Sequence, residues 1–284
     1  MQDDTLKRET RRQKIRLKKR RRLVAVGILV LALVLSVLMI SLIVNGIKSA
    51  KRGVTQSIGP NPPTEDTKVA TVLYSYDYGA PAPKSEAVES GYFDDALFVG
   101  DARTSGFSIY GYMKKATILT GNSLNVGTVL ECEFADSAGA KFTLVDKLAG
   151  QKFSKIYLAL GLNELGWGDP DAFADEYDSF VGTLLTLQPG AEIYIESILP
   201  VSKNASGRVK YMTNEKIEQY NASLKVIAKN KQVYYLDVAE VFKDGEGCLD
   251  SAVTGDGIHL LAESYSTWFE YLKTHTVKKE LYTN

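Results

Sequence analysis

Five short apolar runs, separated by segments of helical periodicity, dominate the chain beyond residue 87. The runs are rich in Val, Ile, Leu and Tyr, and most are apolar at nearly every position: Ala96–Gly100, Ala116–Thr120, Lys155–Leu160, Glu192–Leu199 and Val233–Val238. Continuous apolar runs of this length are typical of parallel strands that are covered on both faces. Because helices between parallel strands form right-handed crossovers, the sequence predicts an α/β domain, a three-layer α/β/α sandwich with a central parallel sheet.

Three amphipathic segments supply helices for this sheet. The first begins at Asp169-Pro170, where proline is tolerated in the first helical turn, and it ends before Pro189-Gly190. The second begins at Thr213, and the third carries Trp268, Phe269 and Leu272 on one face. Residues 131–150 fit no clear element, and either a hairpin or a loop insertion is compatible with them.

A basic head and a long apolar run make up the first 45 residues. Residues 1–22 contain 11 Lys and Arg against three acidic residues, and Leu23–Val44 follows with 22 residues and no charge. A helix of that length crosses a hydrocarbon layer of about 30 Å. The cations before the run predict a cytoplasmic N-terminus. We expect residues 23–45 to be a single-pass transmembrane signal anchor that places the C-terminal domain outside the cell. The alternative is a soluble protein with a basic arm.

Proline-rich chain separates the predicted anchor from the predicted domain. Five of the eight prolines lie between residues 60 and 83, and prolines at this density favour an extended linker. We expect residues 46–86 to be an extracellular linker and residues 87–284 to be one domain, long enough to bury its own core. Within the linker, Val69–Tyr78 has the composition of either a strand or an apolar strap against the domain.

The charge and cysteine content of the chain exclude some partners. Residues 53–284 contain 20 basic and 31 acidic residues, and a surface of that sign repels the phosphates of nucleic acid. Cys132 and Cys248 are too few for a disulfide framework, and they are compatible with two unpaired thiols or with one disulfide. With two histidines and no closely spaced cysteine pair, we expect no metal and no cofactor.

Three polar motifs lie where a site of such a fold is expected. The first strand ends at Gly100-Asp101, the third ends at Gly161-Leu162-Asn163, and Asp256-Gly-Ile-His259 precedes the last helix. Open α/β sheets place their sites at the carboxyl ends of strands, so the motifs are expected to meet there. Asp256 can bind one ring nitrogen of His259, fix its tautomer and stabilise an imidazolium, which leaves the other nitrogen as a base.

In order and position, these motifs resemble the blocks of the SGNH, or GDSL-type, hydrolase family. The resemblance implies that His259 is the catalytic base, that Asp256 orients it, and that the Asn163 amide donates to the developing oxyanion. Backbone N–H groups of residue 102 and of the loop after the second strand would complete the oxyanion hole. The family's glycine in that loop falls on Ser123, with Gly121 as the alternative.

The sequence departs from the family at the nucleophile. Ala102 holds the position of the nucleophilic serine, and a methyl group can neither be deprotonated nor carry an acyl group. Thr104 and Ser105 are the nearest hydroxyls, but a helix that opens after the turn would point them away from residue 102. Arg103 and Trp167 are expected to contact substrate.

The expected function is that of a membrane-anchored, extracytoplasmic ester hydrolase of a bacterial surface protein. Its substrates would be O-acyl groups of cell-wall glycan or polysaccharide, as in esterases and acetylesterases, and Ala102 would impair its catalysis. The alternative is a non-catalytic pseudoenzyme that binds acylated glycan or acts as a scaffold at the cell surface. The implied partners are an ester or acylated glycan and, through Leu23–Val44, the membrane.

Overall fold

The computed structural model describes residues 74–278 and 282–283. The strands in this part of the chain are β1 (Tyr74–Ser75), β2 (Ala96–Gly100), β3 (Thr117–Thr120), β4 (Glu133–Ala135), β5 (Lys141–Thr143), β6 (Lys155–Ala159), β7 (Glu192–Glu196), β8 (Tyr234–Leu236) and β9 (Tyr282–Thr283). The α-helices are α1 (Gly106–Ile109), α2 (Leu144–Gly150), α3 (Pro170–Leu187), α4 (Asn214–Lys231) and α5 (Ser264–Thr274). Short 3-10 turns are η1 (Ser90–Phe93), η2 (Asn163–Gly166), η3 (Val238–Val241) and η4 (Ser251–Val253).

Five parallel strands form the central sheet, in the order β3-β2-β6-β7-β8. Each corresponds to one of the five apolar runs, so the predicted parallel sheet is confirmed. In the register, Val99 of β2 lies between Leu119 of β3 and Leu158 of β6. The chain leaves β2 toward β3 on one side and returns to β6 on the other. Such a reversal opens a crevice at the carboxyl end of β2.

Alternate residues of each strand face two separate apolar cores. Leu97 and Val99 belong to one core, which also contains the apolar stripes of α3 and α4. Phe98 belongs to the other, which contains the apolar side of α5 with Trp268 and Leu272. Helices therefore cover both faces of the sheet, which explains why its strands are apolar at nearly every position.

Four of the five strands are shorter than the runs that predicted them, and only β2 has the same bounds as its run. The run Glu192–Leu199 contributes only Glu192–Glu196 to the sheet. Beyond it, the Asn221 side chain binds the backbone of Ile198, accepting from its N–H at 2.7 Å and donating to its carbonyl at 3.0 Å. A side chain from α4 thus replaces the neighbouring strand as the partner of this backbone.

Residues 74–88, which we call the strap, pack first along edge strand β8 and then against the end of α5, where the Val88 N–H donates to the Lys273 carbonyl at 3.0 Å. The N–H of Ala82 donates to the carbonyl of Tyr235 at 2.8 Å, and Ala82 is buried. The ring of Tyr78 stacks on that of Tyr234 at a centroid distance of 5.6 Å. The packed part of the chain therefore begins within the segment predicted as a linker.

The region without a clear sequence signal, residues 131–150, forms the antiparallel hairpin β4–β5 followed by α2. A capping box starts this helix: the Thr143 hydroxyl accepts from the Asp146 N–H at 3.1 Å, and the Asp146 carboxylate accepts from the Thr143 N–H at 2.9 Å. Cys132 and Cys248 are both unpaired and half-buried.

None of the helices within residues 74–278 is long and apolar enough to cross a membrane. The predicted basic head and the predicted membrane span Leu23–Val44 lie outside the described residues, as does the linker up to residue 73.

Candidate active site

The turn after β2 is built around Asp101. Its carboxylate accepts from the Arg103 N–H at 2.9 Å and its carbonyl accepts from the Thr104 N–H at 3.1 Å. These bonds reverse the chain and leave Ala102 at the carboxyl edge of the sheet. The Ser105 hydroxyl donates to the Ala102 carbonyl, and the Thr104 hydroxyl is buried. Neither Thr104 nor Ser105 lines the cavity at this edge of the sheet.

A second loop, before α5, holds the predicted acid and base. Nδ1 of His259 lies 2.7 Å from Oδ2 of Asp256, while Oδ1 of Asp256 accepts from the N–H groups of Ile258 and His259 at 2.8 Å each. Thr254 closes the loop by donating to the His259 carbonyl at 2.7 Å. With Nδ1 bound, Nε2 is the ring nitrogen that remains for proton transfer.

The Asp256 carboxylate is stabilised in its charged form. Partial burial alone would raise its pKa, but the hydrogen bonds from the His259 ring and from two backbone N–H groups lower the pKa well below its usual range. A carboxylate that stays ionised at all physiological pH values orients the imidazole and stabilises the imidazolium that forms when the base accepts a proton in the reaction.

The turn after β6 presents Asn163. Gly161 enters this turn at φ 135°, and a Cβ on it would lie 2.3 Å from Cδ1 of Ile198, so only glycine fits. Residues of α4 hold the turn from outside: the Tyr220 hydroxyl donates to the Glu164 carbonyl at 3.1 Å, and Nζ of Lys216 donates to the Leu165 carbonyl at 2.7 Å.

Asn163 and Glu164 together bind the loop after β3, residues 121–127. Nδ2 of Asn163 donates to the carbonyls of Leu124 and Asn122, at 2.8 and 3.2 Å. The buried carboxylate of Glu164 accepts from the Val126 N–H at 2.8 Å. These two bonds engage both amide protons of Asn163, so donation to an oxyanion requires release of the longer bond, to Asn122.

These loops enclose one cavity of about 430 Å³ at the carboxyl edge of the sheet. Its lining residues are Asp101, Ala102, Asn122, Leu162, Asn163, Tyr211, Met212, Ile258 and His259. The structure thus brings together four groups that the sequence placed in one site: position 102, the Asn163 amide, the His259 ring and, bonded to that ring, Asp256. The backbone N–H groups of Ala102 and Asn122 donate to no other group in the described chain. The cavity therefore has one base, the His259 ring, and several N–H donors on its walls.

Besides Asp256, three predicted site residues lie outside this lining. Arg103 is buried beneath the turn, where Nη1 donates to the Leu199 carbonyl at 2.7 Å. Trp167 is half-buried against the apolar core and beside Gly127. Ser123 is exposed, and its neighbour Asn122 faces the cavity instead. The proposed substrate contacts of Arg103 and Trp167 remain predictions, as does the proposed oxyanion role of Ser123. None of the three residues lines the cavity.

The sequence patterns did not predict three residues that shape the site, Glu164, Asn122 and Tyr211. Glu164 was detectable as the one charged residue in the apolar stretch Leu160–Trp167. Asn122 differs by one position from the predicted loop residue. Tyr211 lies in the polar segment between β7 and α4, and no periodicity or motif marks it.

Two buried carboxyl groups, those of Asp101 and Glu164, lie beside the site. Burial raises the pKa of Glu164 to about 7, although the Val126 N–H opposes this and the nearby Asp101 adds to it. Burial likewise raises the pKa of Asp101, against the opposing effect of the Arg103 guanidinium. The same burial lowers the pKa of Arg103. Of the carboxylates near the cavity, Asp256 is therefore the one held most firmly in its charged form.

The chain is similar to known hydrolases. The model of the GDSL-like lipase/acylhydrolase family matches residues 123–266. A structure from Streptococcus pneumonia, whose name links it to platelet activating factor, is 25% identical over 63% of this chain and 82% of its own, with a TM-score of 0.53.

Two further structures are more distant. A GDSL-like lipase from Bacteroides thetaiotaomicron is 15% identical over 63% of this chain and 86% of its own (TM-score 0.49). A mutant acetyl-xylooligosaccharide esterase from Geobacillus Stearmophilus is 13% identical over 67% and 94% (TM-score 0.44). No curated protein matches the chain. The family match begins after the turn that holds Ala102, so the role of that position rests on its place in the fold.

Proposed function

Since the chain belongs to the GDSL-like lipase/acylhydrolase family, we propose that its cavity binds esters of small acyl groups and is arranged to hydrolyse them. The observation that carries this proposal is the His259–Asp256 pair, joined at 2.7 Å, on the wall of a cavity that also contains position 102 and Asn163. A base, its orienting carboxylate and an amide donor around one space are the parts that acyl transfer needs.

With a serine at position 102, the reaction would follow from this geometry. Nε2 of His259 takes the hydroxyl proton while the oxygen bonds to the ester carbonyl carbon, and N–H donors stabilise the resulting oxyanion. The carbonyl then re-forms, the alcohol leaves with the proton from His259, and an acyl-enzyme remains. Water attacks it in the same way, giving up its proton to His259, and the carboxylic acid leaves as the serine is regenerated.

Ala102 removes the attacking oxygen and closes the covalent route. Sites that keep their base and donors but lose the nucleophile retain about 10³–10⁴-fold catalysis over water, against roughly 10⁶-fold lost. This observation favours a second candidate function: the chain as written holds an ester or acylated glycan without turning it over, as a binding protein or scaffold.

The location we propose is the outer face of a cell membrane, with O-acyl groups of cell-wall glycan or polysaccharide as substrate. The support is the uncharged 22-residue run Leu23–Val44 behind 11 cations, which predicts an anchor and an outward domain. An outward-facing acyl hydrolase has surface glycan within reach, and the cavity is larger than an acetyl group requires.

The test is the Ala102→Ser variant of the full chain, purified in detergent. We expect it to hydrolyse p-nitrophenyl acetate, to lose this activity when His259→Ala is added, and to keep it when Ser105→Ala is added. An Ala102→Ser protein without turnover would refute the hydrolase arrangement. The second candidate predicts that the chain with Ala102 binds acetylated glycan, and absence of binding to acetylated and deacetylated glycan alike would remove it.

A further inference from the structure

The segment between β7 and α4 forms a rigid wall beside the base. The Ser202 N–H donates to the Gly257 carbonyl at 2.8 Å, which joins this segment to the loop that holds His259. Within the segment, the Gly207 N–H donates to the Met212 carbonyl at 2.8 Å. This backbone is closed by its own hydrogen bond and is bonded to the catalytic loop. Its side chains are therefore held in place, and little conformational entropy is lost when they bind a ligand.

Tyr211 is the most exposed large apolar residue of this wall. It lines the cavity with Ala102 and His259, and it is 47% exposed. Its ring also lies beside the turn that holds Asn163, 3.8 Å from the position that a Cβ of Gly166 would occupy. The other apolar lining residues, Ala102, Leu162, Met212 and Ile258, are only partly exposed. Tyr211 therefore offers an accessible aromatic face at the mouth of the cavity.

The position of this ring indicates which half of an ester it meets. The acyl carbonyl must lie near position 102 and the Asn163 amide, while the alcohol leaves past His259 toward solvent. Tyr211 is about half exposed to solvent, and it belongs to the wall that is bonded to the His259 loop. The ring thus faces the alcohol half of the ester.

The chemistry of the mouth fits a sugar ring as that alcohol. A pyranose has an apolar face of C–H groups that packs on an aromatic ring, and its hydroxyls need polar partners at the edges. The Tyr211 hydroxyl and the exposed Asn122 provide such partners on two sides of the cavity. A volume of about 430 Å³ accommodates a monosaccharide and a small acyl group together.

We propose that Tyr211 is a specificity-determining residue that stacks on the pyranose ring bearing the ester. This inference rests on the proposed function, because it takes the cavity to be the ester site. It assigns to Tyr211 the contact with glycan that the sequence had placed on Trp167.

The first experiment compares two acetates in the Ala102→Ser protein: glucose pentaacetate, whose alcohol is a pyranose, and ethyl acetate, whose alcohol is acyclic. We expect Tyr211→Ala to lower the ratio of kcat/KM for the pyranose ester to kcat/KM for ethyl acetate about tenfold. Tyr211→Phe retains the stacking face and should retain most of the activity. Tyr110→Ala is the matched control, since Tyr110 is 46% exposed and lies outside the cavity lining.

Two results would overturn the assignment. An equal loss for both acetates would mean that Tyr211 only supports the structure. A selective loss for ethyl octanoate relative to ethyl acetate would place the ring against the acyl chain instead.

A binding experiment separates this inference from the hydrolase proposal. Saturation-transfer NMR on the chain with Ala102, using glucose pentaacetate, should show contact that Tyr211→Ala abolishes and Tyr110→Ala preserves. If Ala102→Ser is inactive on every ester, the hydrolase proposal fails and this measurement alone decides the role of Tyr211. Contact that persists in Tyr211→Ala, or no contact in the parent chain, refutes the stacking role.

Discussion

Glu164→Gln should remove a specific part of the pH dependence of stability. The Glu164 side chain is 0% exposed, and one carboxylate oxygen accepts from the Val126 N–H at 2.8 Å while the other has no partner in the described chain. Burial raises the pKa of this carboxyl from an ordinary 4.5 to about 7 in the folded protein. The folded state therefore keeps a proton that the unfolded chain releases.

The sign and size follow from this difference in proton binding. Where the folded state binds more protons, the free energy of unfolding falls as pH rises. Stability from Glu164 is complete below the unfolded pKa and is lost as pH rises through about 7. For these two pKa values the loss between about pH 5 and about pH 8 is roughly 2.5 kcal/mol. Glutamine cannot ionise, so the variant lacks this loss.

Urea unfolding of both proteins, followed by tryptophan fluorescence, measures the effect. The amide costs a fixed amount at every pH, because its N–H₂ group lies where the carboxylate oxygen has no partner. The stability difference between the proteins should therefore shrink as pH rises from about 5 to about 8, by roughly 2.5 kcal/mol. Burial also raises the pKa of Glu196, to about 8, but that contribution is common to both proteins and cancels. Parallel stability curves would refute the buried, protonated Glu164.

The remaining predictions concern the base and the turn that presents the amide. In the Ala102→Ser protein, Asp256→Asn should lower kcat by about 10⁴-fold in a p-nitrophenyl acetate assay, because an amide can hold His259 in the wrong tautomer; a loss under tenfold would contradict the pairing. Gly161→Ala should destabilise the domain by about 2 kcal/mol or more, since its φ of 135° is unfavourable for alanine and the new Cβ would lie 2.3 Å from Ile198. Thermal unfolding measures this, and an unchanged Tm would contradict the packing at Gly161.

The central sheet was predictable because both of its faces are buried. Each strand is then apolar at nearly every position, and this signal does not depend on distant residues. The strand ends were less predictable, because the contact that ends β7 comes from Asn221 on α4, 23 residues beyond Ile198 in the sequence. The seven-residue helix α2 was missed for a different reason: it is defined by its capping box and is too short to show periodicity.

The residues of the candidate site also differ in how far the sequence predicts them. Asp256 and His259 lie three residues apart, so their contact is encoded locally and follows from the residue types. The place of Asn163 followed from its position at the end of a predicted strand. The role of Tyr211 depends on a loop held against the catalytic loop through Ser202 and Gly257, and no local pattern carries that information. Trp167 was a reasonable aromatic candidate by sequence proximity, but its ring packs toward Gly127.

The strap has a consequence for self-association. β8 is the edge of the sheet, and an uncovered edge offers unpaired N–H and carbonyl groups to any other extended chain. The strap meets this edge through Ala82 and Tyr235 and closes the end of a stack of rings with Tyr78 on Tyr234. A fragment that begins after Pro83 would lack both Tyr78 and Ala82 and would expose the edge and the rings. Soluble, monomeric fragments of this protein should therefore start at or before Tyr74.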